Sequence, residues 1–168
     1  GETRTVEAFK ATAKPVKVKK RNNKGRATTG FTVKTSKKEQ ERIGLTGEQL
    51  VYEFLLGQEN VEQVTWVSEN AKKVGVNPEG GAGCGYDMEY VDSDGRRKYV
   101  EVKASKSAKE AGVRFYMSDF EYRFGTEHAE DYLVYYVSGA RSAHPQILIF
   151  ENVFRNHDLN RKSFTVET

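Results

Sequence analysis

The sequence predicts a mixed α/β (α+β) domain built on one sheet, in the order helix, three strands, helix, two strands. Capping signals at Ser36/Glu39 and Ser118/Glu121 each open a helical run. Strand-like runs flank the turn signal Asp92-Ser93-Asp94-Gly95. Two apolar runs of strand length, Tyr132 to Val137 and Gln146 to Phe150, follow the second helix. With 168 residues the chain can bury one sizeable core and is short for two.

Taken in order, Thr46 and Gln49 repeat the capping spacing just ahead of Leu50, Val51, Phe54 and Leu55. Residues 37–57 therefore read as one kinked helix or two short ones, with Gly44 and Gly47 as weak points and Gly57 as the stop. Val64 to Val67 reads as a short strand, and Pro78 to Gly85 as a glycine-rich loop. That loop is not a nucleotide fingerprint. A P-loop ends in Gly-Lys-Ser/Thr, and a dinucleotide turn needs its third glycine where Tyr86 stands. Tyr86 to Val91 and Arg97 to Lys103 form a hairpin, and Val113 to Met117 is a further short strand before the second helix.

Composition narrows the function classes. No apolar run approaches the roughly 18–20 residues that span a bilayer, so no membrane partner is expected. Cys84 is the single cysteine, and His128, His144 and His157 have neither metal-ligand spacing nor a nucleophile for a hydrolytic triad. An intracellular, cytoplasmic chain without a thiolate zinc site is the expectation. The chain starts at Gly1 with no leader pattern, which reads as part of a longer polypeptide.

The charge is uneven. Residues 1–42 carry 13 Lys and Arg against 4 Asp and Glu, whereas residues 43–168 carry 14 against 20. Residues 1–35 read as a basic arm, in which Lys17, Lys19, Lys20, Arg21 and Lys24 either meet nucleic-acid phosphates or belong to a solvated linker. Structure is expected to begin at Ser36, with residues 36–168 as the domain.

The hairpin carries the chemistry. A three-residue loop with Gly95 in the left-handed position pairs Asp92 with Arg96, and the same register sets Asp87 opposite Glu101 on one sheet face. Alternation adds Lys103 to that face and turns Val100 and Val102 away. Opposed carboxylates destabilise a ladder by a few tenths to about 1 kcal/mol, and a divalent cation between them removes the repulsion. Hard oxygen ligands suit Mg²⁺ or Mn²⁺, and a lysine beside such a metal can orient a water or stabilise charge on a phosphate. Metal-assisted phosphodiester hydrolysis is the expected reaction.

Asp87 followed by Glu101-Val102-Lys103 resembles the D…(D/E)-x-K signature of the PD-(D/E)XK nuclease superfamily. Ile43-Gly44, Gly47-Glu48, Gly85-Tyr86-Asp87, Tyr99 to Lys103, and Ser118 with Glu121 are together similar to the nuclease-like domain at the C-terminus of the plant protein NO VEIN. The resemblance spans roughly residues 40–155 and excludes the arm. It implies a restriction-endonuclease-like fold acting on DNA within a larger restriction, phage-defence or DNA-processing protein. Additional domains or subunits such as a helicase or ATPase are implied, and a homo-oligomer is open. By position, Asp87 and Glu101 would hold the metal, Val102 would offer its carbonyl, Lys103 would serve the attacking water and Glu48 would complete the site.

Simpler roles compete with these. Glu-Val-Lys on a strand is usually a solvated face, and it is Asp87 across the hairpin with Glu48 on the preceding helix that favours a site. Glu89 competes as a ligand or pairs with a nearby lysine, and Glu121 reads mainly as a capping residue. Lys106 is placed to meet phosphates but also fits a solvated loop. Trp66, Tyr132, Tyr135 and Tyr136 read as core. The rival function is a non-catalytic nucleic-acid-binding module, and a weaker one is a protein-interaction domain.

Overall fold

A computed structural model describes residues 6–11, 36–108, 113–151, 153–154 and 163–166. Ser36 caps a 20-residue helix, α1 (Lys37–Leu56), by accepting the Glu39 N–H. The helix runs as one element through Gly44 and Gly47, rather than as two short ones. Gly47 serves packing instead, since a Cβ there would lie 2.7 Å from the Ala104 Cβ. Gly57 does end the helix, in right-handed rather than left-handed geometry.

The chain continues through β2 (Val61–Trp66), α2 (Glu69–Lys73), β3 (Met88–Asp92), β4 (Arg97–Ala104), β5 (Val113–Tyr116), α3 (Asp119–Glu127), β6 (Tyr132–Ser138), β7 (Gln146–Glu151) and β8 (Ser163–Val166). A strand at Glu7–Ala11, β1, precedes them all. It pairs in parallel with β7, so regular structure begins well before Ser36, inside the segment read as an arm. Glu7 to Ala11 holds Phe9 as its one large apolar residue, and a local reading offers it no partner strand.

The main sheet has six strands in the order β1-β7-β6-β4-β3-β2. The expected single sheet is not the whole: β5 pairs with β8 in a separate two-stranded sheet. Four strands lie between α1 and α3, each at a run read as a strand from the sequence, one more than the order helix, three strands, helix counts. The central strand β6 is buried along its whole length, as a strand covered on both faces must be. It lies parallel to β4 and antiparallel to β7.

Alternation along β4 divides two cores. Val100 and Val102 join Ile43, Leu50, Val51 and Leu55 of α1 together with Trp66, Met88 and Ile147. On the other face Tyr132, Val134 and Tyr136 pack with Tyr122 of α3, Phe115 of β5, Phe150 and Phe154. Trp66, Tyr132, Tyr135 and Tyr136 are all core residues, as read from the sequence. Among the described residues no helix is long and apolar enough to cross a membrane.

Candidate active site

The β3–β4 hairpin has the expected register, with Met88 opposite Val100 and Val91 opposite Arg97. Its loop closes as the glycine requires: the Gly95 N–H donates to the Asp92 carbonyl at 3.0 Å and Gly95 has φ +77°. The ladder ends at Met88, however. The Asp87 N–H donates to the Val100 carbonyl at 2.8 Å, one residue out of step, while the Asp87 carbonyl accepts the Val67 N–H at 2.8 Å. Asp87 thus leaves the regular pairing, and its carboxylate oxygen Oδ2 accepts the Val102 N–H at 2.8 Å. Backbone and carboxylate both meet β4, the carboxylate beside Glu101.

On β4, Glu101 and Lys103 point toward α3. The Lys103 Nζ lies 3.4 Å from Glu101 Oε1 and 2.8 Å from Glu121 Oε1. Glu121 also completes the capping box of α3 with Ser118. One carboxylate therefore both starts the helix and holds the lysine, a second role that its capping spacing alone does not reveal.

Glu48 enters from α1, where the close contact of Gly47 with Ala104 brings the helix down onto β4. Its Oε1 accepts Trp66 Nε1–H at 3.0 Å and the Ser68 hydroxyl, and its Oε2 accepts the Asn70 amide. Trp66, Ser68 and Asn70 are partners that the sequence reading missed. The signal available for them was proximity to the end of a strand, which does not distinguish them from core or loop residues.

Glu48, Ser68, Asn70, Asp87, Glu101 and Glu121 line a cleft of about 400 Å³ between α1, α2, the loop at residues 81–86 and the start of α3, and Lys103 pairs with the last two of these acids. The cleft is acidic, with Glu41, Glu48, Glu69, Asp87, Glu101 and Glu121 in its wall. Its charge is visible in proton affinities. Asp87 is pushed up to about 8, first by desolvation and then by the charge of Glu48, against the opposing Val102 N–H and Lys103. Burial and the Asp87 charge likewise raise Glu101 well above the usual carboxylate range. Burial disfavours the Lys103 ammonium, but Glu101 and Glu121 outweigh it and hold its pKa above the ordinary value.

Two adjacent carboxylates, Asp87 and Glu101, are hard oxygen donors of the type that Mg²⁺ or Mn²⁺ prefers. Among the described residues no group of three His, Cys, Asp or Glu side chains is gathered closely enough to hold a metal ion. Asp87 and Glu101 are thus the acidic pair of the site, and Glu48 stands behind them with both oxygens engaged by donors.

Residues 47–150 match the model of the family described as Protein NO VEIN, C-terminal. The chain belongs to this family. Its matched segment runs from Gly47 through the hairpin to Phe150 and so contains every acidic and lysine residue of the cleft from Glu48 to Glu121. Comparison with curated proteins and with solved structures gives no match.

The other predicted residues are dispersed. Lys17, Lys19, Lys20, Arg21 and Lys24 lie outside the described residues. Lys106 is exposed and pairs with Glu39 in a cavity apart from the cleft. Glu89 is held by the Tyr86 hydroxyl at 2.8 Å and by Arg97 at 2.9 Å, rather than by a lysine. Cys84 is exposed in the cleft wall.

Proposed function

We propose that the chain is a metal-dependent endonuclease domain of the PD-(D/E)XK type that hydrolyses DNA phosphodiester bonds, as the effector part of a larger restriction, phage-defence or DNA-processing protein. The observation that carries this reading is the acidic pair Asp87 and Glu101 in the wall of one cleft, with Lys103 paired to Glu101. An acidic wall repels a phosphodiester, and a hard cation reverses that field. Asp87, Glu101 and the Val102 carbonyl would hold Mg²⁺ or Mn²⁺. When bound, the cation supplies a more acidic water and polarises the phosphate.

The chain's own groups account for the rest. The ion pairs to Glu101 and Glu121 keep Lys103 protonated and restrict its Nζ to the cleft, where it can orient a water or balance charge developing on a phosphate oxygen. Glu48 keeps the site acidic from behind and is fixed by Trp66, Ser68 and Asn70.

The test is incubation of supercoiled plasmid with the chain and Mn²⁺, beside Asp87→Ala and Lys103→Ala. Nicking by the parent that disappears in both variants and in EDTA supports the reading. Absence of cleavage, by the chain and by its full-length protein, overturns it. A second reading, a nuclease-like module that grips nucleic acid without cutting, is favoured by the double pairing of Lys103, which already balances its charge. Equal salt-sensitive binding by all three proteins without cleavage would select it.

A further inference from the structure

A second cavity, of about 500 Å³, is lined by Ser36, Lys38, Glu39, Arg42, Lys106 and Arg141. Four cations face one carboxylate there. Three separate segments supply them: the first turns of α1, the chain leaving β4, and the turn between β6 and β7. The backbone fixes this convergence beyond the end of the ladder. The Ser105 N–H donates to Val137 at 2.9 Å, the Ala140 N–H to Ser105 at 2.8 Å and the Arg141 N–H to Lys106 at 3.4 Å. Lys106 and Arg141 are consequently side by side.

Glu39 registers the resulting field. It pairs with Lys106, and its carboxyl is held below the usual range first by that hydrogen bond and further by the charges of Lys106, Arg141 and Arg42. A single acid leaves the cations in surplus. Like charges brought from three segments into one concavity repel one another, and a polyanion relieves that repulsion.

The two cavities lie along the same helix. Lys38 and Arg42 line the basic cavity, while Glu41, Gly44 and Glu48 of the same helix line the acidic cleft. Six residues of helix separate Arg42 from Glu48, an axial distance of roughly 9 Å, about two to three nucleotide steps of B-form DNA at ~3.4 Å each. The chain through and just past β4 repeats the relation, with Glu101 lining the cleft and Lys106 the basic cavity. A ligand with phosphates at regular short intervals can seat some in the basic cavity and pass others by the acidic cleft, where a cation would offset the repulsion, which favours a nucleic-acid backbone over an acidic peptide.

We propose that the basic cavity is a phosphate-binding site that grips the backbone of a nucleic acid beside the acidic cleft through Lys38, Arg42, Lys106 and Arg141. The proposal rests on the reading of the chain as acting on nucleic acid, but not on its cutting it. Arg42 and Arg141 are exposed, so their truncation leaves the core intact.

The test is binding of a fluorescent DNA duplex in EDTA over a salt series, with Arg42→Ala/Arg141→Ala compared with the parent and with Lys72→Ala, an exposed cation of α2 outside both cavities. The double variant should bind about tenfold or more weakly, with a slope of log affinity against log salt shallower by about 1.8, the contribution of two phosphate contacts. Affinity and slope equal to those of Lys72→Ala overturn the proposal, as does tighter binding of polyglutamate than of the duplex. Plasmid cleavage assayed in parallel separates the two readings. Lost binding in the double variant with no cleavage by the parent keeps this site and removes the nuclease, whereas unchanged binding with cleavage by the parent does the reverse.

Discussion

The carboxylate of Asp87 accepts the Val102 N–H at 2.8 Å, a side-chain bond to β4 added beyond the out-of-register bond from the Asp87 N–H to the Val100 carbonyl. Val102 turns its own side chain into the α1 core, which points its neighbours Glu101 and Lys103 to the opposite face. The bond therefore anchors an acid from outside β3 next to the acid and the amine of β4. It also keeps one Asp87 oxygen occupied.

Stability of the metal-free chain should fall as pH rises. Asp87 moves from an ordinary 3.8 to about 8 on folding, so between those values the folded state binds more protons than the unfolded one. Glu101 shifts in the same direction. Asp87→Asn keeps an oxygen for Val102 and removes the charge. Its melting temperature at pH 8 should exceed that of the parent by about 3 °C, the shift that roughly 1 kcal/mol gives in a chain of this size, with little difference at pH 4. Thermal melts at the two pH values measure it, and a parent whose stability climbs from pH 4 to 8 would contradict the assignment.

Divalent cations should reverse that trend. Mn²⁺ at about 100 times its dissociation constant stabilises by roughly 2.7 kcal/mol, and the acids must ionise to bind it, so the thermal shift should be larger at pH 8 than at pH 5. EDTA should abolish the shift. In Asp87→Asn the shift should be small at both pH values.

Two glycines of α1 should respond in opposite ways. Gly47→Ala places a Cβ 2.7 Å from that of Ala104 and forces the helix off β4. The cost, about 1–3 kcal/mol for overpacking, exceeds the roughly 1 kcal/mol that alanine gains in helix propensity. Gly44→Ala meets nothing within 4 Å and should stabilise by up to about 1 kcal/mol. Urea titration of both variants resolves the signs.

Lys103 should lose proton affinity when Glu121 loses its charge. Glu121→Gln can still accept the Ser118 N–H, so the cap survives while one of the two carboxylates that hold the ammonium is gone. Burial then acts with less opposition and lowers the Lys103 pKa. NMR titration of the Lys103 side chain reads the shift directly. An unchanged value would show that Glu101 alone sets it.

Glu48→Ala should expose its dependence on Trp66. The substitution removes the acceptor shared by Trp66, Ser68 and Asn70 and leaves buried donors short of partners, at about 1–3 kcal/mol. Trp66 is the single tryptophan, so its fluorescence during unfolding reports the loss without a label.

The hairpin and the caps were legible because their causes are local. Gly95 and the polar turn determine a loop type, the loop type determines the register, and a period of two then assigns Glu101 and Lys103 to one face. Ser36/Glu39 and Ser118/Glu121 mark helix starts for the same reason, since both partners of each contact lie within one turn. Gly44 and Gly47 misled because helix propensity marks both as weak, whereas burial under 20 residues of amphipathic helix keeps α1 whole. Strand β1 was missed because Phe9 and its neighbours become a strand only when the edge of β7 is present.

From the sequence alone came the family resemblance, the mixed α/β layout and the identity of the acids and lysine at the hairpin, all of which follow from turn chemistry, side-chain alternation and short motifs. Only the tertiary structure decided that Asp87 reaches Val102 with its side chain, that Glu121 shares Lys103 with Glu101, and that Arg42, Lys106 and Arg141 enclose one basic cavity. Each of these joins groups on different elements. Their distances are set by how helices and strands pack against a common sheet, which no window along the chain contains.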